Sequence, residues 1–395
     1  MFDKSSKKPV SALKYYSKVA DIQHTPFPSE SLFLQPGYLS AIESAAPAGM
    51  ELRYVTLEKR GKTSLMYLFQ VINLSSGAIG QIIHFQPYSN IMKTVSGLLQ
   101  NILFGTNPDK PNYLLICGNM CLSGDYGMHV SPAHLEDSKN HLFDAIDLCT
   151  TELNKTGKVV ATIIKDFRTN ADPYLPVIKP YRFHKLVMDP IMQMAIRPNW
   201  SSMENYLADL SAKYRQRYNQ ARKKLEECEV RRLSLKEMKT LRSSIDELYT
   251  AVQEKSPVRL VKQNAAYLIA LVEKLGDKVQ FLGIFHEGKL IGFLTGILDG
   301  KTFEAHHIGI DYHYNRSHAI YLNILYLYIR MAIESKAEMI SFGRTALEMK
   351  TTVGAIAVPH NAYIKLSNGM LNSLVKHLLP EKTSDDWIPR NPFRE

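Results

Sequence analysis

Three consecutive stretches carry the pattern of β-strands: VQFLGIF (279–285), KLIGFLTGIL (289–298) and TFEAHHIGI (302–310), each rich in β-branched or aromatic residues. Glu287-Gly288 and Asp299-Gly300 are turn signals between them, so the three read as an antiparallel meander. The period then changes. Over 317–335 (SHAIYLNILYLYIRMAIES), Ile320, Ile324, Leu327, Met331 and Ile333 fall on overlapping apolar faces of one helix. A short strand, EMISF (338–342), follows, then the run GRTALEMKTTVGA with a short helix and a last strand ending at Leu366. A helix between two strands normally makes them parallel neighbours, which places 338–342 beside 302–310. Three helices, 201–228, 236–254 and 263–274, precede the meander.

The first half repeats this order loosely. PGYLSAIESAA (36–46) reads as a helix with Pro near its start, and ELRYVTLEK with SLMYLFQVINL reads as a hairpin across Arg60-Gly61. IGQIIHF, a helix around 91–104, NYLLICG, a long helix over 133–155 and KVVATIIKDF complete it. No repeat of fixed period is present. Met188-Asp189-Pro190 and Arg197-Pro198 interrupt regular structure, so the expected organisation is a leader (1–30), a first domain (31–190) and a second domain (200–395). HTPFPSE closes the leader with prolines that cannot continue a helix.

A length of 395 residues suits two domains, each able to bury a full core. No apolar run approaches the roughly 20 residues of a membrane span, and the lysine-bearing N-terminus lacks the apolar core of a signal peptide. Cytoplasm is the expected compartment. Four cysteines without C-x-x-C pairing point to reduced thiols, and Cys117-x3-Cys121 with His129 is no closed zinc set. A formal charge of +10 favours anionic partners.

The order of elements from Val279 to Leu366 resembles the core of the GNAT acyltransferase fold, in which two parallel strands splay apart and the acyl carrier enters the gap. FGRTALEMKTTVGA (Phe342 to Ala355), with Tyr363 and Lys365 behind it, is similar to the C-terminal signature of bacterial FemAB-like and BioF-like acetyltransferase domains, found in tandem-GNAT proteins associated with peptidoglycan or amino-acyl conjugation. KYRQRYNQARKKLEE (Lys213 to Glu227) resembles the basic helix that opens the second domain in those families. The resemblance covers residues 200–366 well and the first half in outline. It implies an α/β (α+β) fold of two GNAT-like domains, each a mixed, mostly antiparallel sheet flanked by helices. It also implies an N-acyltransferase that takes its acyl group from acyl-CoA and passes it to an amine acceptor. Aminoacyl-tRNA-dependent transfer onto a cell-wall precursor is an alternative, and a non-catalytic binder of nucleotide-sugar or partner protein is another. FemA-type enzymes carry a long helical arm; the short links and absent heptads between 201 and 274 speak against one here, and so against tRNA.

Acyl transfer to an amine needs positioning, proton removal and oxyanion stabilisation. The Gly-rich pyrophosphate loop usual in GNAT enzymes is absent. HYNRSHAIYLN (His313 to Asn323) stands in its place, and with Asn315, Arg316, Ser317 and Asn323 it is the candidate anion site at the start of the long helix. Within the signature, Arg344 and Lys350 are the leading catalytic candidates, as cations that could meet phosphates or the oxyanion. The local alternative for Arg344 is an ion pair with Glu348, four residues on. Resemblance makes Arg217 the first choice for a nucleotide-sugar phosphate, with Lys213 on its stripe and Asn219 nearby, although a solvated helix face is the more common explanation of such a pattern. For the general base, strict alternation puts Glu304 and His306 on one face of 302–310 and His307, Asp311 and His313 on the other. His306 or His307 could accept a proton, with Glu304 as alternative and Tyr363 as a proton donor to the leaving group. The second set mimics a metal-binding triad but converges poorly on a straight strand, so no metal is expected.

Overall fold

The computed structural model describes residues 13–22, 31–59, 62–74, 84–85, 110–130, 135–168, 178–255, 258–259, 263–375 and 387–394. The expected helix around 91–104, the Arg60-Gly61 turn and most of IGQIIHF and of the leader lie outside them. In chain order the strands of the first half are β1 (Leu13–Tyr16), β2 (Met50–Lys59), β3 (Lys62–Asn73), β4 (His84–Phe85), β5 (Asn112–Cys117), β6 (Met128–Val130), β7 (Lys158–Arg168) and β8 (His184–Val187). Those of the second are β9 (Ile191–Ala195), β10 (Cys228–Arg232), β11 (Val258–Arg259), β12 (Val279–His286), β13 (Lys289–Asp299), β14 (Thr302–Ile310), β15 (Met339–Ser341), β16 (Ile356–Val358) and β17 (His360–Leu366). The main helices are α1 (Pro36–Ser44), α2 (Leu135–Leu153), α3 (Met203–Asp209), α4 (Ala212–Lys224), α5 (Leu235–Thr240), α6 (Arg242–Glu254), α7 (Ala265–Leu275), α8 (Tyr312–His318), α9 (Ile320–Glu334), α10 (Leu347–Thr351) and α11 (Gly369–Val375).

Two mixed sheets result. One runs β1-β2-β3-β5-β7-β17-β8, with β6 also on β3; the other runs β10-β12-β13-β14-β15-β9-β16. In each, the single parallel pair is joined through a long helix: β5 to β7 through α2, and β14 to β15 through α9. The meander and its parallel neighbour therefore form as the periodicity predicts. What the periodicity could not show is which sheet each strand joins. β9, next after β8 in the chain, inserts between β15 and β16, and β17, next after β16, inserts between β7 and β8. The chain thus passes from the first sheet to the second between β8 and β9, at the expected boundary, and returns to the first with β17, a strand that the second half supplies.

One apolar core spans both halves. Phe33, Tyr38, Leu39 and Ile42 from the first pack with Tyr267, Leu268, Leu271, Phe281 and Phe293 from the second. Polar ties reinforce it: Asp299 at the end of β13 accepts from Ser31 Oγ at 2.8 Å and from the Leu32 amide at 2.5 Å.

Two expectations about local structure are corrected. The helix expected over 317–335 starts three residues later, as α9, because Ala319 takes a left-handed backbone with φ 48° that separates it from α8. Asp311 caps α8, accepting from the His313 amide at 3.1 Å, and Asn315 Oδ1 accepts from the Tyr321 amide at 2.9 Å to cap α9. The strict alternation expected along β14 is also broken. Its pairing with β13 steps from Thr295↔His307 to Gly296↔Ala305, which leaves His306 as the extra residue of a β-bulge.

The return of β17 to the first sheet and a shared core bind the halves into one cooperative unit, so calorimetry should give a single unfolding transition. Leu271→Ala, at a fully buried site in that core, should lower it as one step, by about 2–5 kcal/mol. Two separable transitions, only one of them shifted, would contradict this.

Candidate active site

The parallel contact of β14 with β15 lasts only from Thr302↔Met339 to Glu304↔Ser341. Beyond Ser341 the chain leaves β14 and continues to pair with β9: the Phe342 amide donates to Met192 O at 2.8 Å, and the Met192 amide to Gly343 O at 3.0 Å. The edge of β14 from Ala305 to Ile310 is thereby left without a β15 partner, and a gap opens whose base is Glu304.

Two cations of the signature hold the far wall of this gap. Arg344 donates through both terminal nitrogens to Asp166 in β7 and through Nε to Asp189 O at 2.8 Å. The local partner expected for it, Glu348, instead pairs with Arg390 at 2.8 Å. Asp166 is fully buried and also accepts from Lys165 Nζ and from the Gly124 amide at 3.0 Å. Burial pushes its carboxyl up, but Lys165 and Arg344 outweigh burial and hold it down at about 2. Lys350 is buried as well. Its ammonium donates to the carbonyls of Phe342 at 2.6 Å, Gly343 at 3.3 Å and Arg344 at 2.6 Å. Burial, then the charge of Arg344, pulls its pKa down to about 7, yet three carbonyl acceptors match the three N–H groups of the charged form. Both side chains are therefore occupied in fixing segment 342–344.

At the base of the gap, Glu304 is 4% exposed and accepts a hydrogen bond from Tyr126 of the first half. Burial pushes its carboxyl up to about 7, although the Tyr126 hydrogen bond holds it down. The bulge turns both neighbouring histidines toward Tyr267, with ring centroids 5.7 Å away for His306 and 5.8 Å for His307. His306 closes a buried chain that crosses between the halves: Asn119 Nδ2 to Tyr38 OH at 3.2 Å, Tyr38 OH with Tyr267 OH at 3.2 Å, and Tyr267 OH with His306 Nε2 at 3.0 Å. Its Nδ1 lies 3.3 Å from Thr295 Oγ1. Burial pulls the His306 pKa well below its usual value and that of His307 to about 3, so both imidazoles are neutral near pH 7.

The mouth of the gap is a recess of about 460 Å³ lined by Tyr312, Asn315, Arg316, Ala319, Tyr321, Leu322, Ala346 and Met349. Of the expected anion-site residues, Asn315 and Arg316 line it. Ser317 Oγ instead donates to Tyr314 O at 3.1 Å, and Asn323 is buried, its amide donating to the carbonyls of Ala221, His318 and Ala319. Arg217 reaches the rim, with Nη2 3.4 Å from Met349 Sδ. Lys213 and Asn219 are exposed on α4, and His313 is exposed on α8. Tyr363 lies far from the gap: β17 carries it into the core of the other sheet, where it is 1% exposed beside Phe143 and Phe183. Tyr126, Tyr38, Tyr267 and Asp166 escaped the sequence reading, since each meets a partner far along the chain: Tyr126 and Glu304 are 178 residues apart, as are Asp166 and Arg344, and Tyr38 and Tyr267 are 229 apart. One signal was present for Asp166: Lys165-Asp166 places two charges at the end of an otherwise apolar strand.

Residues 212–351 match the family model of the acetyltransferase (GNAT) domain. No curated protein matches the chain in sequence. Among solved structures, the crystal structure of FemX is 12% identical, with 89% of this chain and 96% of that chain covered and a TM-score of 0.53. A tandem GNAT protein from the clavulanic acid biosynthesis pathway is 10% identical, with 90% and 98% covered and a TM-score of 0.49. The chain thus carries a region similar to the acetyltransferase (GNAT) domain, residues 212–351, and its fold is similar to that of FemX.

Asp166→Asn should destabilise the protein by about 3–5 kcal/mol, since it leaves buried Lys165 and Arg344 short of their counter-charge. A carboxyl held below its unfolded value stabilises the fold above the unfolded pKa near 4, and that stability is lost as pH falls toward about 2. Denaturant titrations of parent and variant from pH 6 to pH 3 should therefore converge; parallel curves would remove the triad from this role.

Proposed function

We propose that the protein moves an acyl group from acyl-CoA, or a carrier of the same kind, to the amine of a small acceptor, with Glu304 as general base. The observation that carries this reading is a buried carboxyl titrating near 7 at the point where β14 and β15 part. The carrier's phosphates occupy the recess beside Arg316 and the start of α9, and its thioester arm follows the gap inward. The uncovered edge of β14 offers backbone N–H groups to the acyl oxygen as it becomes an oxyanion. Glu304 relieves the incoming ammonium of a proton; the N–C bond forms, the thioester C–S bond breaks, and the second amine proton goes to the departing thiolate.

The neutral, strongly depressed histidines suit this role less well than Glu304, and His306 has both ring nitrogens engaged. Arg217 at the rim is the residue placed to meet a phosphate of the carrier or of an anionic acceptor. Against an aminoacyl-tRNA donor stands the region between 196 and 279, where no described helix exceeds 13 residues and no long arm projects. Among the described residues no helix is long and apolar enough to cross a membrane.

The parent kcat/KM should rise with pH through an apparent pKa near 7, and Glu304→Gln should lower kcat by about 10²–10⁴-fold and erase that limb. Retention of both rate and limb in Glu304→Gln would exclude Glu304 as base. Separately, Arg316→Ala, an exposed site, should weaken CoA binding in calorimetric titration, more so at low salt, without changing the melting temperature. Unchanged CoA affinity would move the phosphates elsewhere.

A further inference from the structure

A second cluster of reactive side chains lies away from the gap, on the face of the second sheet where β10 pairs with β12. Cys228 and His286 are direct cross-strand partners in that antiparallel pair, so their side chains leave the same face. His318, the last residue of α8, comes down onto them. One ligand atom from each of Cys228, His286 and His318 lies within 4.8 Å of the other two. The His286 and His318 rings stand 4.6 Å apart between centroids, with Tyr314 5.6 Å and 5.7 Å from them. The Nδ1 of His286 is buried and has no hydrogen-bond partner. A buried imidazole nitrogen left bare is costly unless something binds it. His318 Nδ1 is already engaged by Ser317 Oγ at 2.8 Å, the kind of outer hydrogen bond that orients a metal-ligating imidazole and leaves the other nitrogen for the metal.

We propose that Cys228, His286 and His318 bind a zinc-like divalent cation, with a water in the fourth position. One thiolate and two imidazoles are the donors that borderline-soft cations prefer, whereas magnesium and calcium select oxygen. At zinc bond lengths, tetrahedral ligand atoms stand about 3.5 Å apart, so three atoms already within 4.8 Å need only small side-chain rotations. Burial raises the Cys228 pKa, so the thiol is protonated near neutrality and loses its proton to solvent as the sulfur–metal bond forms. The ion would tie the ends of β10 and β12 to the last turn of α8, one residue before the left-handed Ala319 from which α9 starts. Sequence gave no hint of it, because the three residues are separated by 58 and 32 positions in the chain and no pair has ligand spacing.

The test uses the full-length chain, stripped with a chelator under reducing conditions and titrated with Co²⁺. One equivalent should produce a thiolate-to-cobalt charge-transfer band and strong tetrahedral visible bands, and Zn²⁺ should displace both. Cys228→Ser should abolish the charge-transfer band, and His286→Asn or His318→Asn should weaken cobalt binding by more than about tenfold, the loss that even an outer hydrogen-bond partner produces. Circular dichroism of each variant guards against misfolding. The parent titration stands without the variants: absence of a stoichiometric thiolate band overturns the site, as does a band that persists in Cys228→Ser.

Discussion

Everything at the candidate active site depends on how segment 342–344 is held away from β14. Left to itself, a strand emerging parallel to β14 would continue the ladder, since unpaired backbone groups on both edges favour closure. Here β9, the first strand of the second half, captures Phe342 and Gly343. Arg344 is clamped to Asp166 and Asp189, and Lys350 gathers the carbonyls of all three residues from below. The gap is thus a product of pairing with β9 plus two internally bonded cations. Arg344 and Lys350 both have their donors engaged in holding that segment in place.

Packing between the halves sets the electrostatics. Tyr126 of the first half bonds Glu304, Tyr38 bonds the Tyr267 that meets His306, and burial pushes Glu304, His306 and His307 toward their neutral forms. For the histidines neutrality is reached far below physiological pH. For the carboxyl it falls near 7, where the acid and its conjugate base are both populated. One desolvating environment therefore suppresses two candidate bases and poises the third.

Much of the fold was legible because strong periodicity reports local structure: the meander, the helix after it and the parallel strand follow from residues 279–342. Which sheet a strand joins is another matter. The last strand, ending at Leu366, reads as a strand, yet nothing in its pattern tells that it joins the sheet of the first half. The break at Ala319 was hidden because alanine is a good helix former, and only the capping by Asn315 and the seating of α8 override that preference. The bulge at His306 carries no glycine to announce it. At the site, Glu304 was visible as a candidate but not as the favoured one, since its pKa is raised by burial, which depends on how distant parts of the chain pack around it. The local pairing weighed for Arg344 fails for the same reason: its partner lies 178 residues off, while the nearby Glu348 turns to Arg390.

The most direct test of the central claim is amide hydrogen exchange with and without CoA or acetyl-CoA. A carrier lying in the recess and entering the gap should slow exchange in 305–310, 312–322 and 342–349 together, the uncovered edge of β14, the α8–α9 junction and the clamped segment. Protection confined to the first half of the chain, or none in any of these three segments at saturating ligand, would contradict it.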